Sequence, residues 1–261
     1  MAMSLFSLHG KVAVITGSSR GIGKAIAERM AEAGAKVVIS SRKAEPCEQV
    51  AASIDAAHGA GSALAIPANI SSKEELRHLV DETTRRLGRI DILVCNAASN
   101  PYYGPMAGIE DDQFRKILEN NVIANHWLIN FAVPQMIERK DGAIVIVSSI
   151  GGLRGSPIIG AYNVSKAADF QLARNLAVEY GPHNVRVNCI APGLILTSRA
   201  NKQFNRDSPE ALAKAAPSIP LRRMGVPEDC ARVVEFLVTD LSDYVSGQVI
   251  CIDGGMVLSP S

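Results

Sequence analysis

Seven short apolar runs divide the chain: Lys11–Thr16, Lys36–Ser40, Ala63–Ala68, Ile92–Cys95, Ala143–Val147, Val185–Ala191 and Val249–Ile252. Short β-branched runs bounded by turns are the mark of strands buried on both faces. Between them the apolar positions change to helical spacing. Ile22, Ala25, Ile26 and Met30 recur one to two turns apart, and Gly34-Ala35 closes that segment. Lys73–Leu87 is amphipathic, and Asp111 to about Lys140 reads as mostly helical, with Pro134 predicting a kink or a break. Gly160–Tyr180 and Pro227–Leu237 are further helices, the second with proline at its start. Strands alternating with helices along the whole chain predict an α/β fold. It is a single doubly wound domain with a mostly parallel seven-stranded sheet flanked by helices, and ligand sits at the carboxyl ends of the strands.

Composition narrows the class. The chain has 261 residues, 47% apolar and 20% charged, with a net charge of +1, which suggests neither disorder nor a surface for polyanions such as nucleic acid. No apolar run reaches the roughly 18 residues of a membrane span, and Met1 to Gly10 lacks the pattern of a secretory signal, so the expected location is the cytoplasm. Five cysteines without C-x-x-C spacing read as free thiols, and five histidines without metal-ligand spacing give a metal site no support.

Two stretches carry chemistry. Thr16-Gly17-Ser18-Ser19-Arg20-Gly21-Ile22-Gly23 stands where the first strand turns into a helix. Backbone N–H groups and the helix dipole can hold a diphosphate there, and glycine lets the backbone approach it. In Ala161-Tyr162-Asn163-Val164-Ser165-Lys166, Tyr162 and Lys166 stand at i and i+4 on one helical face, with Cβ atoms about 5–6 Å apart. A free phenol titrates near about 10, and a fixed cation beside it favours the phenolate; bringing it to about 7 takes roughly 4 kcal/mol.

Together these stretches make the chain resemble the short-chain dehydrogenase/reductase family, whose marks are Thr-Gly-x-x-x-Gly-x-Gly followed by Tyr-x-x-x-Lys. The resemblance spans about Leu8 to Val257, and the NADP(H)-dependent carbonyl-reductase branch is the most similar. It implies a cofactor half over about 8–150, a catalytic and substrate half over about 151–257, and a possible lid over 198–220. Ser41 occupies the family's acidic position after the second strand and Arg42 follows it; with Arg20 in the glycine loop, this argues for NADP(H) over NAD. Further cofactor contacts are implied at Gly17, Ser19, Gly21, Ile22, Gly23, Asn69, Ile70, Asn96, Ala97, Pro192, Gly193, Ile195 and Thr197. Asn69 stands for the usual aspartate, and Ala98 for the glycine of Asn-Ala-Gly.

The catalytic residues implied are Asn121, Ser149, Tyr162 and Lys166. Tyr162 gives a proton to a carbonyl oxygen that Ser149 hydrogen-bonds, Lys166 assists the tyrosine and holds the nicotinamide ribose, and Asn121 anchors a relay water. Ser149, thirteen positions before Tyr162, is the catalytic serine, with Ser148 structural. Asn100 to Pro105 is read as one wall of the substrate pocket. The partners implied are a small ketone, aldehyde or secondary alcohol and further copies of the chain, as a tetramer joined through Asp111–Lys140 and Gly160–Tyr180. Reduction of 3-oxoacyl thioesters is the alternative activity. A cofactor-binding regulatory or structural subunit without turnover is the alternative of another class, and the intact tetrad argues against it.

Overall fold

The chain Val12–Thr16 forms strand β1, buried along its whole length, and the sheet grows outward from it. In this computed structural model, which describes residues 5–197 and 216–258, the elements follow as α1 (Gly21–Glu32), β2 (Lys36–Ser40), α2 (Ala44–His58), β3 (Ala63–Ala65), α3 (Lys73–Leu87), β4 (Ile92–Cys95), α4 (Asp111–Leu118), α5 (Ala124–Arg139), β5 (Gly142–Val147), α6 (Gly160–Tyr180), β6 (Val185–Pro192), α7 (Pro227–Val238) and β7 (Val249–Ile252). All pairings are parallel, in the order β3-β2-β1-β4-β5-β6-β7.

Alternate residues of the strands serve two separate cores. Ala13, Ile15, Val37, Ile39, Val94 and Val145 face α1, α2 and α7, while Val14, Val38, Leu93, Ile144 and Val187 face α3, α5 and α6. Burial on both sides is why these runs need no polar alternation. Because the strand order reverses at β1 and β4, the chain leaves their carboxyl ends in opposite directions and opens a crevice there.

Three elements differ from expectation. Helix α2 fills the stretch between β2 and β3, where no element is predicted above, and buries Cys47, Val50, Ala51 and Ile54 on one face. Strand β3 is three residues long, although Ile66 N still donates to Ile39 O at 3.0 Å and Ala68 N to Ser41 O at 3.1 Å. The interruption of the long helix falls in a π-helical turn at Glu119–Ile123, while Pro134 lies inside α5 without ending it. Residues 198–215 of the expected lid lie outside the described residues. Among the described residues no helix is long and apolar enough to cross a membrane.

Candidate active site

The glycine loop is pinned before α1 begins. Thr16 Oγ1 accepts from Asn96 N and Ala97 N, each at 3.1 Å, and Asn96 Nδ2 donates to Thr16 O at 2.8 Å and Gly17 O at 3.2 Å. The ends of β1 and β4 are thereby latched together. Gly17 has φ +67°, and a Cβ at Gly23 would stand 2.6 Å from Gly17 O, so the turn needs glycine at both positions. Ser18 Oγ donates to Ile15 O at 2.6 Å and accepts from Ser40 N at 2.9 Å, tying the loop to β2 as well. Ser19 lies half-buried beside it. No side chain caps the start of α1 at Arg20, so its first N–H groups receive no side-chain cap.

These features fit the diphosphate of a dinucleotide. Arg20 and Arg42 are exposed and carry no ion pair among the described residues. Ser41 Oγ lies 3.1 Å from Cys47 Sγ. Asn69 Oδ1 accepts from Ser71 N at 3.2 Å, which closes a turn and leaves its amide donors outside that bond, and Ile70 beside it is half-buried. On the far side of the crevice, Pro192 ends β6 and pairs with Ile252. Gly193 packs where a Cβ would meet Asp253 at 2.7 Å, and the Thr197 methyl would lie 3.3 Å from a Cβ at Gly21. Leu196 N and Leu194 O bond to Gly225 at 2.8 and 3.0 Å; the Ile195 amide faces the other way in this extended segment.

Of the four expected catalytic residues, Ser149 and Tyr162 line one crevice, while Asn121 and Lys166 are buried. Ser149, Tyr162 and Asn163 line a cavity of about 390 Å³ together with Ser99, Asn100 and Tyr103, so the expected pocket wall does reach the site. A larger cavity of about 500 Å³, lined by Leu194, Ile195, Arg223 and Cys251, holds none of the four. Ser149 Oγ accepts from Gly151 N at 3.0 Å, which leaves its own proton free to donate. Ser148 Oγ donates to Lys166 O at 2.8 Å, which ties the end of β5 to α6.

Lys166 is 1% exposed. Its Nζ donates to Val147 O at 3.1 Å and to Asp169 Oδ2 at 3.0 Å, and lies 5.6 Å from the centre of the Tyr162 ring. Two of its three N–H groups are thus used within the protein. Burial opposes its charge, but the Asp169 carboxylate, with Tyr162, outweighs burial and holds the ammonium above its ordinary pKa. Neither spacing nor the family resemblance points to Asp169. The available signal was an acid one helical turn from Lys166, on a face otherwise occupied by Phe170 and Ala173.

Asn121 does more than expected. Its Oδ1 accepts from Ser99 N at 2.8 Å, and its Nδ2 donates to Ser99 O and Ser165 Oγ, both at 3.0 Å, so both amide protons are used to fasten the end of β4 to α6. A relay water therefore has only acceptors to use on this residue. The Asn121 carbonyl, in the π-helical turn, accepts from Asn125 Nδ2 at 2.7 Å. Among the described residues no cluster of side chains could hold a metal ion, and all five cysteines are free.

Comparison with known proteins places this geometry. A sequence model described as enoyl-(acyl carrier protein) reductase matches residues 17–257. Dehydrogenase/reductase SDR family member 4 of Mus musculus is 41% identical over 249 residues, covering 95% of this chain and 88% of that protein. A 7α-hydroxysteroid dehydrogenase complexed with NADH and 7-oxo glycochenodeoxycholic acid superposes with a TM-score of 0.89 at 36% identity, covering 96% of this chain and 95% of the other. A gluconate 5-dehydrogenase from Burkholderia cenocepacia in complex with NADP and tartrate superposes with a TM-score of 0.91 at 28% identity, covering 100% of both. Sequence, topology and the crevice at β1 and β4 agree, and the chain belongs to the short-chain dehydrogenase/reductase family of oxidoreductases acting on CH–OH and C=O groups.

Proposed function

We propose that the chain is an NADP(H)-dependent reductase of a small ketone or aldehyde, with Asn121, Ser149, Tyr162 and Lys166 as its catalytic set. The observation that carries this reading is that Ser149 and Tyr162 line one cavity, with the buried Lys166 ammonium 5.6 Å from the centre of the tyrosine ring. When bound, the cofactor supplies or accepts the hydride. Ser149, its acceptor side taken by Gly151 N, donates to the carbonyl oxygen. Tyr162 gives that oxygen its proton. Lys166 has one N–H left for the nicotinamide ribose and sets the charge beside the phenol. Asn121 holds the β4 end in place and offers its acceptors to the relay water.

Arg20 and Arg42, exposed and without acidic partners among the described residues, support a 2′-phosphate and hence NADP(H). The long helices α4–α5 and α6 support a tetramer, with Ile123, Val164 and Val178 exposed on them. The matching family description names a reductase of carrier-bound enoyl groups, which shares the thioester substrate class and not the reacting bond, and reduction of 3-oxoacyl thioesters is the second reading.

The test is a panel of ketones, aldehydes and 3-oxoacyl thioesters with NADPH and NADH, followed at the nicotinamide absorbance, with Tyr162→Phe beside the wild type. Turnover of the preferred carbonyl should fall by about 10²–10⁴ in the variant while folding and NADPH binding persist. Retention of more than about a tenth of wild-type turnover removes Tyr162 from the role of acid.

A further inference from the structure

Asp169 is 0% exposed on the inner face of α6, among Phe170, Ala173 and Leu176. An aspartate gives no packing advantage there, and taking a carboxylate out of water is costly unless it is paired and hydrogen-bonded. Both conditions are met. Oδ2 receives Lys166 Nζ at 3.0 Å, and Oδ1 receives Asn125 Nδ2 at 3.2 Å from α5. Asn125 also holds the Asn121 carbonyl, so one amide joins the acid to the π-helical turn.

We propose that Asp169 is a positioning residue of the reductase site: its carboxylate keeps the buried Lys166 ammonium charged and fixed against Val147 O, so that one N–H is left for the site beside Tyr162. The inference rests on the reading of Tyr162 as acid and base. Three titratable groups face the pair: Tyr162 on the same helix, Cys95 at the end of β4 and Cys189 on β6. Asn125, from α5, contributes a hydrogen bond to Asp169, and Ser148, from the end of β5, holds the Lys166 carbonyl. Burial pushes both thiols far above their ordinary range, so they are uncharged at neutral pH. The lysine and the acid are then the charges that act on the phenol. Burial also drives Asp169 itself upward, against Lys166 and Asn125. Each member of the pair therefore depends on the other for its charge.

The sign distinguishes this from a direct effect. With the carboxylate removed, burial drives Lys166 toward the neutral amine, the phenolate of Tyr162 loses its cation, and Tyr162 ionises at higher pH. If Asp169 acted on the phenol through its own negative charge, removing it would move the ionisation to lower pH.

The test is a cycle of wild type, Asp169→Asn, Lys166→Met and the double variant. Tyr162 ionisation is followed by tyrosinate absorbance, each protein against its Tyr162→Phe counterpart. The pH profile of kcat for alcohol oxidation is recorded for wild type and Asp169→Asn. Asp169→Asn should raise the ionisation and the limb of the profile by about one pH unit or more, the size expected of one nearby charge. In the Lys166→Met background it should add nothing. An unmoved or lowered ionisation, or an equal shift in both backgrounds, overturns the proposal.

Folding is checked by near-ultraviolet circular dichroism. If Asp169→Asn alone does not fold while the double variant does, the unpaired buried lysine is at fault, as the proposal requires. If neither folds, Asp169 is a packing residue and the proposal falls. A normal loss of turnover in Tyr162→Phe with an unmoved Asp169→Asn profile defeats the role of Asp169 alone, whereas undiminished turnover in Tyr162→Phe defeats the reductase mechanism itself.

Discussion

Gly23→Ala tests whether the latch between β1 and β4 sets both stability and cofactor affinity. A Cβ at this position would lie 2.5 Å from Asn96 Nδ2, 2.6 Å from Gly17 O and 2.9 Å from Gly17 C. Asn96 can withdraw only by giving up its bonds to Thr16 O and Gly17 O, while Gly17 O is backbone. Overpacking of this kind costs about 1–3 kcal/mol, and a lost internal hydrogen bond about 1 kcal/mol more. Against this, alanine gains about 1 kcal/mol of helix propensity. The net loss is about 1–3 kcal/mol. In a domain of this size that lowers the thermal midpoint by roughly 2–6 °C if the strain stays in the fold. If the loop moves aside instead, the same energy weakens NADPH binding by roughly 5- to 150-fold. Thermal unfolding and fluorescence titration of NADPH measure the two shares. Gly181→Ala is the control, since Gly181 has φ −53° and nothing within 4 Å of a Cβ. A Gly23→Ala protein with both midpoint and affinity at wild-type values would refute the reasoning.

Arg42→Asp should move cofactor preference from NADPH toward NADH by repelling the 2′-phosphate, read as the ratio of kcat/KM values; equal efficiency of the wild type with both cofactors contradicts the premise. Asp229 accepts from Arg223 and, through Oδ2, from Val226 N at 2.9 Å at the start of α7. Its side-chain bond to Arg223 leads the effects that hold its carboxyl below the usual range. Asp229→Ala should cost about 1 kcal/mol of stability at neutral pH. A depressed carboxylate stabilises above its unfolded pKa, so the difference from wild type should close as pH falls below about 4, measured by thermal unfolding across pH. Sedimentation should give a tetramer at micromolar concentration, and a stable 27.7 kDa monomer would contradict it.

Much of the fold was legible because apolar runs buried on both faces leave a plain trace. Strands β1, β2, β4 and β7, and helices α3 and α6, fall within a residue of their expected limits. The glycine loop and the tyrosine–lysine pair were readable because their chemistry demands particular residues at fixed separations. The π-helical turn was not, since the hydrogen bonds made there, from Ser99 N to Asn121 Oδ1 and from Asn125 Nδ2 to Asn121 O, leave no trace in apolar periodicity. Pro134 drew attention away from it: a proline signals its own missing donor, and α5 nevertheless continues through it. Helix α2 went unread although Cys47, Val50, Ala51 and Ile54 stand at helical spacing, and Asp169 was hidden by the usual expectation that an acid near a lysine on a helix lies at the surface.

The strand order also governs when this chain can begin to fold. Strand β1 lies at the switch point, where Ala13, Val14 and Ile15 pair with Ile92, Leu93 and Val94. During synthesis it waits on one side for a partner about 80 residues away, which takes roughly 4–16 s at about 5–20 residues per second. Over that interval one edge of an apolar strand stands open, and the β1–β2 unit has no covered face toward β4. The order in which the sheet closes is therefore dictated by β4, and a ribosomal pause placed just before residue 92 should lengthen exposure of the nascent chain to chaperones, whereas one after β4 has emerged should not.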